Sequence, residues 1–157
     1  MRSVISIYVD NQYGVLARVS ELFMRRGFNI DSLTVSETED PNYSRITITT
    51  NGDEYIRDQL INQLGKLQNV KTIKLLNGQN TVEREIMLIK IRNNPENRSE
   101  IMAASEIFRA KIIDYTTHAI CVEVTGEPSK IKAFIEIMSP LGIIEMCRTG
   151  VIALDRG

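Results

Sequence analysis

The feature that most constrains the fold is a change of hydrophobic period that occurs twice in the same order. Residues 3–9, Ser-Val-Ile-Ser-Ile-Tyr-Val, place Ile5, Ile7 and Val9 on one face at period two, the mark of a half-buried strand. Past Asp10-Asn11-Gln12-Tyr13-Gly14, residues Val15, Leu16, Val19, Leu22 and Phe23 recur at three-and-four spacing, which makes an amphipathic helix. Arg25 and Arg26 suit the dipole at its far end, and Gly27 stops it. Alternation returns from Asn29 to Thr38 and again, after the turn Glu39-Asp40-Pro41-Asn42, over Ser44 to Thr49. Asn51-Gly52-Asp53 is a capping signal. It leads into a second helical stripe, Ile56, Leu60, Leu64 and Leu67, and Val70 to Leu76 supplies another short strand. The order is β-α-β-β-α-β.

Residues 77–83, Asn-Gly-Gln-Asn-Thr-Val-Glu, are polar with a turn dipeptide and read as a linker. The pattern then restarts: Met87, Ile89 and Ile91 alternate, and Ile101, Ala104, Ile107 and Phe108 mark a helix. Lys111 to Tyr115 and Ala119 to Thr125 read as strands. Pro128 sits where a first-turn proline is tolerated, ahead of Ile131, Phe134, Ile135 and Met138. Pro140-Leu141-Gly142 is expected to break that helix, and Ile143 to Leu154 closes the pattern as a β-branched run. Ser20-Glu21-Leu22-Phe23 echoes Ser105-Glu106-Ile107-Phe108, which supports duplication. The expected fold class is α+β, two tandem ferredoxin-like domains at 1–76 and 84–157. A domain of roughly 75 residues buries only about 60–65% of its unfolded surface, so burial against a partner is expected.

Charge and chemistry exclude much. With 19 basic and 20 acidic residues the net charge is -1, which leaves no electrostatic footprint for nucleic acid or an anionic membrane. The chain runs from Met1-Arg2-Ser3 straight into a strand-like segment, with no apolar stretch long enough to span a bilayer; a soluble, cytoplasmic protein is expected. Cys121 and Cys147, the 2 cysteines present, lie in apolar runs without metal-ligand spacing and read as reduced, buried core thiols. His118 is the single histidine, which rules out a His-based dyad or metal cluster. Carboxylate pairs such as Glu37 with Glu39 and Asp53 with Glu54 sit in turns, where solvation is the commoner role.

The informative segment is the turn from the first strand into the first helix, Asp10 to Leu16. The opening N–H groups of a helix have no intrahelical partners, and the positive end of its dipole points the same way, so an anion can settle there. Gly14 leaves room for a carboxylate to approach the N–H groups of Gly14, Val15 and Leu16, and Asn11 adds an amide beside them. On residue chemistry alone a simple cap is the commoner meaning of such a glycine. The second copy has Asn93-Asn94-Pro95-Glu96-Asn97-Arg98 instead. There Pro95 removes a donor and Glu96 opposes a carboxylate, so no equivalent site is expected.

Asn11-x-x-Gly14-Val15-Leu16-x-Arg18-Val19, followed by Phe23-x-x-Arg26-Gly27-Phe28-Asn29-Ile30-x-Ser32-Leu33-Thr34-Val35, resembles the ACT domain of the acetolactate synthase (acetohydroxyacid synthase) small regulatory subunits. Val82 to Lys90 resembles the opening of that family's second domain. The resemblance implies a non-catalytic regulatory subunit, with no cofactor of its own. Its partner would be a thiamine-diphosphate-dependent catalytic large subunit, which this chain activates and subjects to feedback inhibition by valine or a related branched-chain amino acid. It further implies a homodimer. Asn11 and the Gly14–Leu16 backbone would hold the effector carboxylate, while Asn29 and the Ile30 backbone of a partner chain would hold its ammonium. The alternative is an RNA-binding module of the same topology, which needs exposed aromatics on the central strands. Ser44 to Thr49 carries no ring, and aromatics are 6% of the chain.

Overall fold

A computed structural model describes residues 1–76 and 78–157; Asn77, at the head of the expected linker, lies outside the described residues. The chain forms two compact units, Met1–Val82 together with Val151–Gly157, and Glu83–Gly150.

In the first unit, β1 (Arg2–Asp10), α1 (Val15–Arg25), β2 (Asn29–Glu37), β3 (Tyr43–Asn51), α2 (Glu54–Leu64) and β4 (Val70–Leu76) follow the sequence periods. The sheet order is β2-β3-β1-β4, antiparallel throughout. Ile5, Ile7 and Val9 are buried against Val15, Val19 and Phe23 of α1 and Leu60 and Leu64 of α2, each side chain contributing roughly 1.5–3 kcal/mol by leaving water. Asp53 caps α2 as its sequence signals, accepting from the Tyr55 and Ile56 N–H groups at 2.8 and 3.3 Å. Arg57 is buried on α2, with Nη1 donating to Ser3 Oγ and Nη2 3.0 Å from Asp58.

The sheet face opposite the helices is rich in hydroxyls. Ser32 Oγ and Thr49 Oγ1 are 2.6 Å apart, and Arg45 Nη1 donates to Ser6 Oγ at 2.8 Å. Onto this face comes a segment from beyond the second unit. Ala153 packs with Val4 and Leu76, the Val151 N–H donates to Ser32 Oγ at 3.4 Å, and Asp155 lies 3.3 Å from Lys74. The sequence reading gave residues 84–157 to the second domain. Residues 151–157 cluster with the first because Val151 and Ala153 find cover there.

In the second unit, β5 (Thr81–Arg92), α3 (Arg98–Ile107), β6 (Lys111–Tyr115), β7 (Ala119–Gly126), α4 (Pro128–Gly142) and β8 (Ile143–Arg148) repeat the order. The sheet path is β6-β7-β5-β8. Met87, Ile89 and Ile91 meet Ile101 of α3 and Ile131, Phe134 and Met138 of α4 in its core. Glu85, buried on β5, receives Nε and Nη2 of Arg148 in a bidentate pair.

Several local expectations change. Gly78–Asn80 forms a short 3-10 turn and β5 already starts at Thr81, so none of the described residues of the expected linker, 78–83, is irregular chain. α4 continues through Pro140 to Gly142: the proline forfeits its own N–H bond, and Leu141 beyond it is buried. The closing run breaks at Thr149-Gly150, where Gly150 takes φ 88°, before β9 (Ile152–Asp155). Cys121 is half-buried and Cys147 exposed, both unbridged. They stand opposite Lys90 and Leu88 on the sheet face away from the core, so neither is a core thiol.

The repeated Ser-Glu-apolar-Phe string is out of structural register. The Phe28 N–H closes back on Phe23 O, with Gly27 left-handed, whereas the Ala110 N–H closes on Ser105 O, with Arg109 left-handed. Phe23 therefore corresponds to Ser105, not to Phe108. The duplication rests on topology.

Candidate functional site

At the end of β1 the chain is tied down on both sides before it turns. The Asp10 N–H donates to Asn69 O at 2.9 Å, ahead of β4, and the Asn11 N–H donates to Asn42 O at 2.8 Å in the β2–β3 hairpin. Asn11 Nδ2 also donates to Pro41 O at 3.0 Å. This amide is exposed, and its carbonyl oxygen accepts no hydrogen bond among the described residues.

Gly14 then opens α1 at φ 83°, ψ -5°, with no side-chain cap. A Cβ placed there would meet nothing within 4 Å, so glycine is required by the left-handed backbone rather than by crowding. The first helical bond runs from the Arg18 N–H to Gly14 O at 3.2 Å. The N–H groups of Gly14, Val15 and Leu16 precede it, and helix geometry leaves them without intrahelical acceptors. In α2 the carboxylate of Asp53 fills that role; α1 has no counterpart. The side chain of Val15 belongs to the core, so only its backbone can face a ligand, whereas Leu16 is 40% exposed beside the turn.

Asn29 and Ile30 stand apart. They open β2, the outer strand of the sheet, opposite Asn51 and Thr50, and Asn29 is exposed. The Asn29 carbonyl accepts from Thr50 Oγ1, and a register shift follows Ile30, where Asn51 Nδ2 donates to Asp31 at 2.7 Å. Among the described residues no hydrogen bond joins Asn29 or Ile30 to the Asp10–Leu16 turn. One chain thus brings Asn11, Gly14, Val15 and Leu16 together and leaves Asn29 and Ile30 on an open sheet edge.

The second unit builds its turn differently. Asn93 is buried; its N–H donates to His118 O at 2.9 Å, its Nδ2 to Thr116 O at 2.6 Å, and its Oδ1 accepts from Arg98 Nε at 2.8 Å. The guanidinium of Arg98 also lies 5.9 Å from the Tyr115 ring centroid. Pro95 and Glu96 are exposed in the intervening loop.

Sequence reasoning missed two features of the first unit. Asn69, half-buried before β4, reaches both Asp10 and Arg18; a single asparagine in a loop gives no periodic signal. Tyr8 and Tyr43 stack at 4.9 Å on β1 and β3 with Arg45 5.8 Å from the Tyr8 centroid. Those rings face each other and the guanidinium, unlike the free rings that an RNA-stacking surface needs.

Residues 5–72 match the model of the AHAS (acetohydroxyacid synthase) small subunit-like ACT domain, and residues 84–157 that of the small subunit of acetolactate synthase. A probable acetolactate synthase small subunit of Archaeoglobus fulgidus is 47% identical over 158 residues, covering 100% of this chain and 98% of the relative. The chain belongs to the acetolactate synthase small-subunit family. The acetolactate synthase isozyme 3 small subunit of Escherichia coli K12 is 44% identical, over 100% of this chain and 97% of its own length. The crystal structure of the acetolactate synthase small subunit of Thermotoga maritima superposes with a TM-score of 0.90 at 40% identity, covering 100% and 98% of the two chains. The two ferredoxin-like units therefore carry a small-subunit fold, with a regulatory role and a catalytic subunit as partner. The ACT match spans all six candidate residues, Asn11, Gly14, Val15, Leu16, Asn29 and Ile30, while the 93–98 turn lies in the other matched region. No helix among the described residues of this small-subunit chain is long and apolar enough to cross a membrane.

Proposed function

We propose that this chain binds valine or a related branched-chain amino acid at the Asp10–Leu16 turn, activates the catalytic large subunit on association and transmits feedback inhibition to it. The observation that carries the reading is the uncapped, left-handed start of α1 at Gly14, inside the ACT match. A carboxylate accepts from the Gly14–Leu16 N–H groups, favoured by the helix dipole, with the Asn11 amide beside it. The effector's ammonium needs acceptors that the turn lacks. The Asn29 side-chain carbonyl and the Ile30 backbone carbonyl supply them from a second copy, because within one chain they stand on an outer strand.

A site completed by two protomers couples ligand to interface geometry directly. The effector shifts the dimer toward one arrangement by its differential affinity, typically worth about 1–3 kcal/mol. The chain contributes no catalytic group and no cofactor, works in the cytoplasm as a homodimer, and leaves its second unit without an effector.

Calorimetric titration with valine, leucine and isoleucine, alongside oligomeric mass and inhibition of the reconstituted complex, tests this. Saturable binding of at least one of them by a dimer is expected. A dimer that gives no heat with any of the three, in a complex that valine still inhibits, overturns the site.

A further inference from the structure

The two ends of the candidate turn converge on one residue outside it. The amide of Asn69 faces a carboxylate on one side and a guanidinium on the other, so its nitrogen belongs toward Asp10 and its oxygen toward Arg18. In that orientation Nδ2 donates to Asp10 Oδ2 at 3.1 Å and Oδ1 accepts from Arg18 Nη1 at 2.6 Å. Asn69 O also accepts the Asp10 N–H at 2.9 Å. Arg18 is the residue whose own N–H closes the first helical bond onto Gly14 O at 3.2 Å. Asn69 therefore grips the stretch Asp10–Arg18 at its start and its finish, with Gly14, Val15 and Leu16 between. Lys71 Nζ, 3.6 Å from Asp10 Oδ1, offsets the Asp10 charge near a place where an anion would sit.

Among the described residues, no hydrogen bond makes such a clasp at the turn of the second unit. Its chain enters the last strand through Gly142, which a Cβ would bring to 3.4 Å from Arg92, and it holds its turn through Asn93 instead. The clasp thus accompanies the turn whose helix start is open.

We propose that Asn69 is a positioning residue for the effector site, an amide clasp between Asp10 and Arg18 that fixes the aim of the Gly14–Leu16 N–H groups. The affinity arm of the test rests on the effector reading given above; the dynamic arm does not. Donors held in place before binding cost less ordering when the ligand arrives. Asn69→Ala removes both bonds, and Asn69→Asp sets two carboxylates side by side. The exchanged pair Asp10→Asn/Asn69→Asp restores a donor at one position and an acceptor for both neighbours at the other.

The test uses the full chain, by ¹⁵N relaxation and by calorimetry with valine. Backbone order parameters over Gly14–Arg18 should fall from about 0.85 toward 0.6 in Asn69→Ala and Asn69→Asp, and recover in the exchanged pair. Valine affinity should drop about 10-fold in the single variants and return to within about twofold in the exchanged pair, about 1.4 kcal/mol lost and regained. A merely structural asparagine would lower thermal stability without rescue of either readout by exchange. Unchanged order parameters in both single variants overturn the clasp, whatever valine does. Restored order without restored affinity overturns its role in binding. A wild-type chain that binds no branched-chain amino acid, yet loosens in Asn69→Ala, overturns the effector reading and leaves the clasp standing.

Discussion

Asn11 and Asn93 each follow the first strand of their unit, and each is tied by its N–H to the opposite hairpin, at 2.8 Å to Asn42 O and at 2.9 Å to His118 O. Beyond that shared tie they diverge. The Asn93 amide is buried, with both ends engaged by Thr116 and Arg98; the Asn11 amide is exposed and uses its nitrogen on Pro41. Next along the chain, a left-handed glycine leaves α1 open, whereas α3 is entered from Asn97 in a helical conformation, with Glu100 in its first turn. The same position in a duplicated fold thus serves as internal brace in one unit and as available donor and acceptor in the other. Burial decides which, since a buried amide must be satisfied by protein and an exposed one can be satisfied by a ligand.

The largest expected effect falls on the open turn. Gly14→Asp places a charged side chain where the effector carboxylate would sit and forces a non-glycine residue to φ 83°. Valine affinity should fall on the order of 100-fold or more, since opposed like charges cost several kcal/mol. Association with the catalytic subunit should persist, and valine inhibition of the reconstituted complex that matched wild type would break the comparison.

Next come the two asparagines themselves. Asn93→Ala strips buried partners and should cost about 2–3 kcal/mol of stability, against less than about 1 kcal/mol for the exposed Asn11→Ala. Urea unfolding reads both; equal losses would erase the distinction between brace and available group. The helix starts of the first unit sharpen it further. Asp53→Ala uncaps α2 and should lower stability by about 1 kcal/mol, while α1 has no side-chain cap to lose.

The helix ends give a smaller contrast. Gly27 occupies φ 72° after α1, but Arg109 occupies φ 54° after α3. Arg109→Gly should raise stability by about 0.5–1 kcal/mol, the relief of left-handed strain outweighing glycine's entropy. A lowered midpoint in chemical denaturation would contradict this.

The smallest effect belongs to the surface of the second sheet, where Lys90 Nζ lies 2.7 Å from Glu145 Oε1. The hydrogen bond from Lys90, then its charge, hold the Glu145 carboxyl below its ordinary 4.5. A depressed carboxyl supports the fold above its unfolded value and loses that support as pH falls through the folded one, so the change lies below 4.5. An NMR titration of the Glu145 carboxyl carbon should give its midpoint in that range, and Lys90→Ala should return it upward.

Much of the fold was legible because period and punctuation are local. Ile5, Ile7 and Val9 announced a strand, Val15 to Phe23 a helix, and Asp53 a cap. The turn at Asn11–Leu16 was legible for the same reason, as one contiguous segment. What sequence could not disclose depends on distant groups meeting. Asn69 acquires its role only when the strands bring Asp10 and Arg18 to it. Cys147 lies in an apolar run, yet every residue of β8 from Ile144 to Arg148 is exposed, the thiol among them. The Ser-Glu-apolar-Phe echo matched letters three residues out of register, because helix ends are aligned by their closing bonds rather than by composition.

Residues 151–157 complete a sheet face whose strands all precede the second unit. During synthesis, Val4 and Leu76 leave the ribosome long before Ala153 does. The core between the helices and the sheet of the first unit needs none of residues 151–157, but the seam of Val4 and Leu76 stays uncovered until Ala153 has been made.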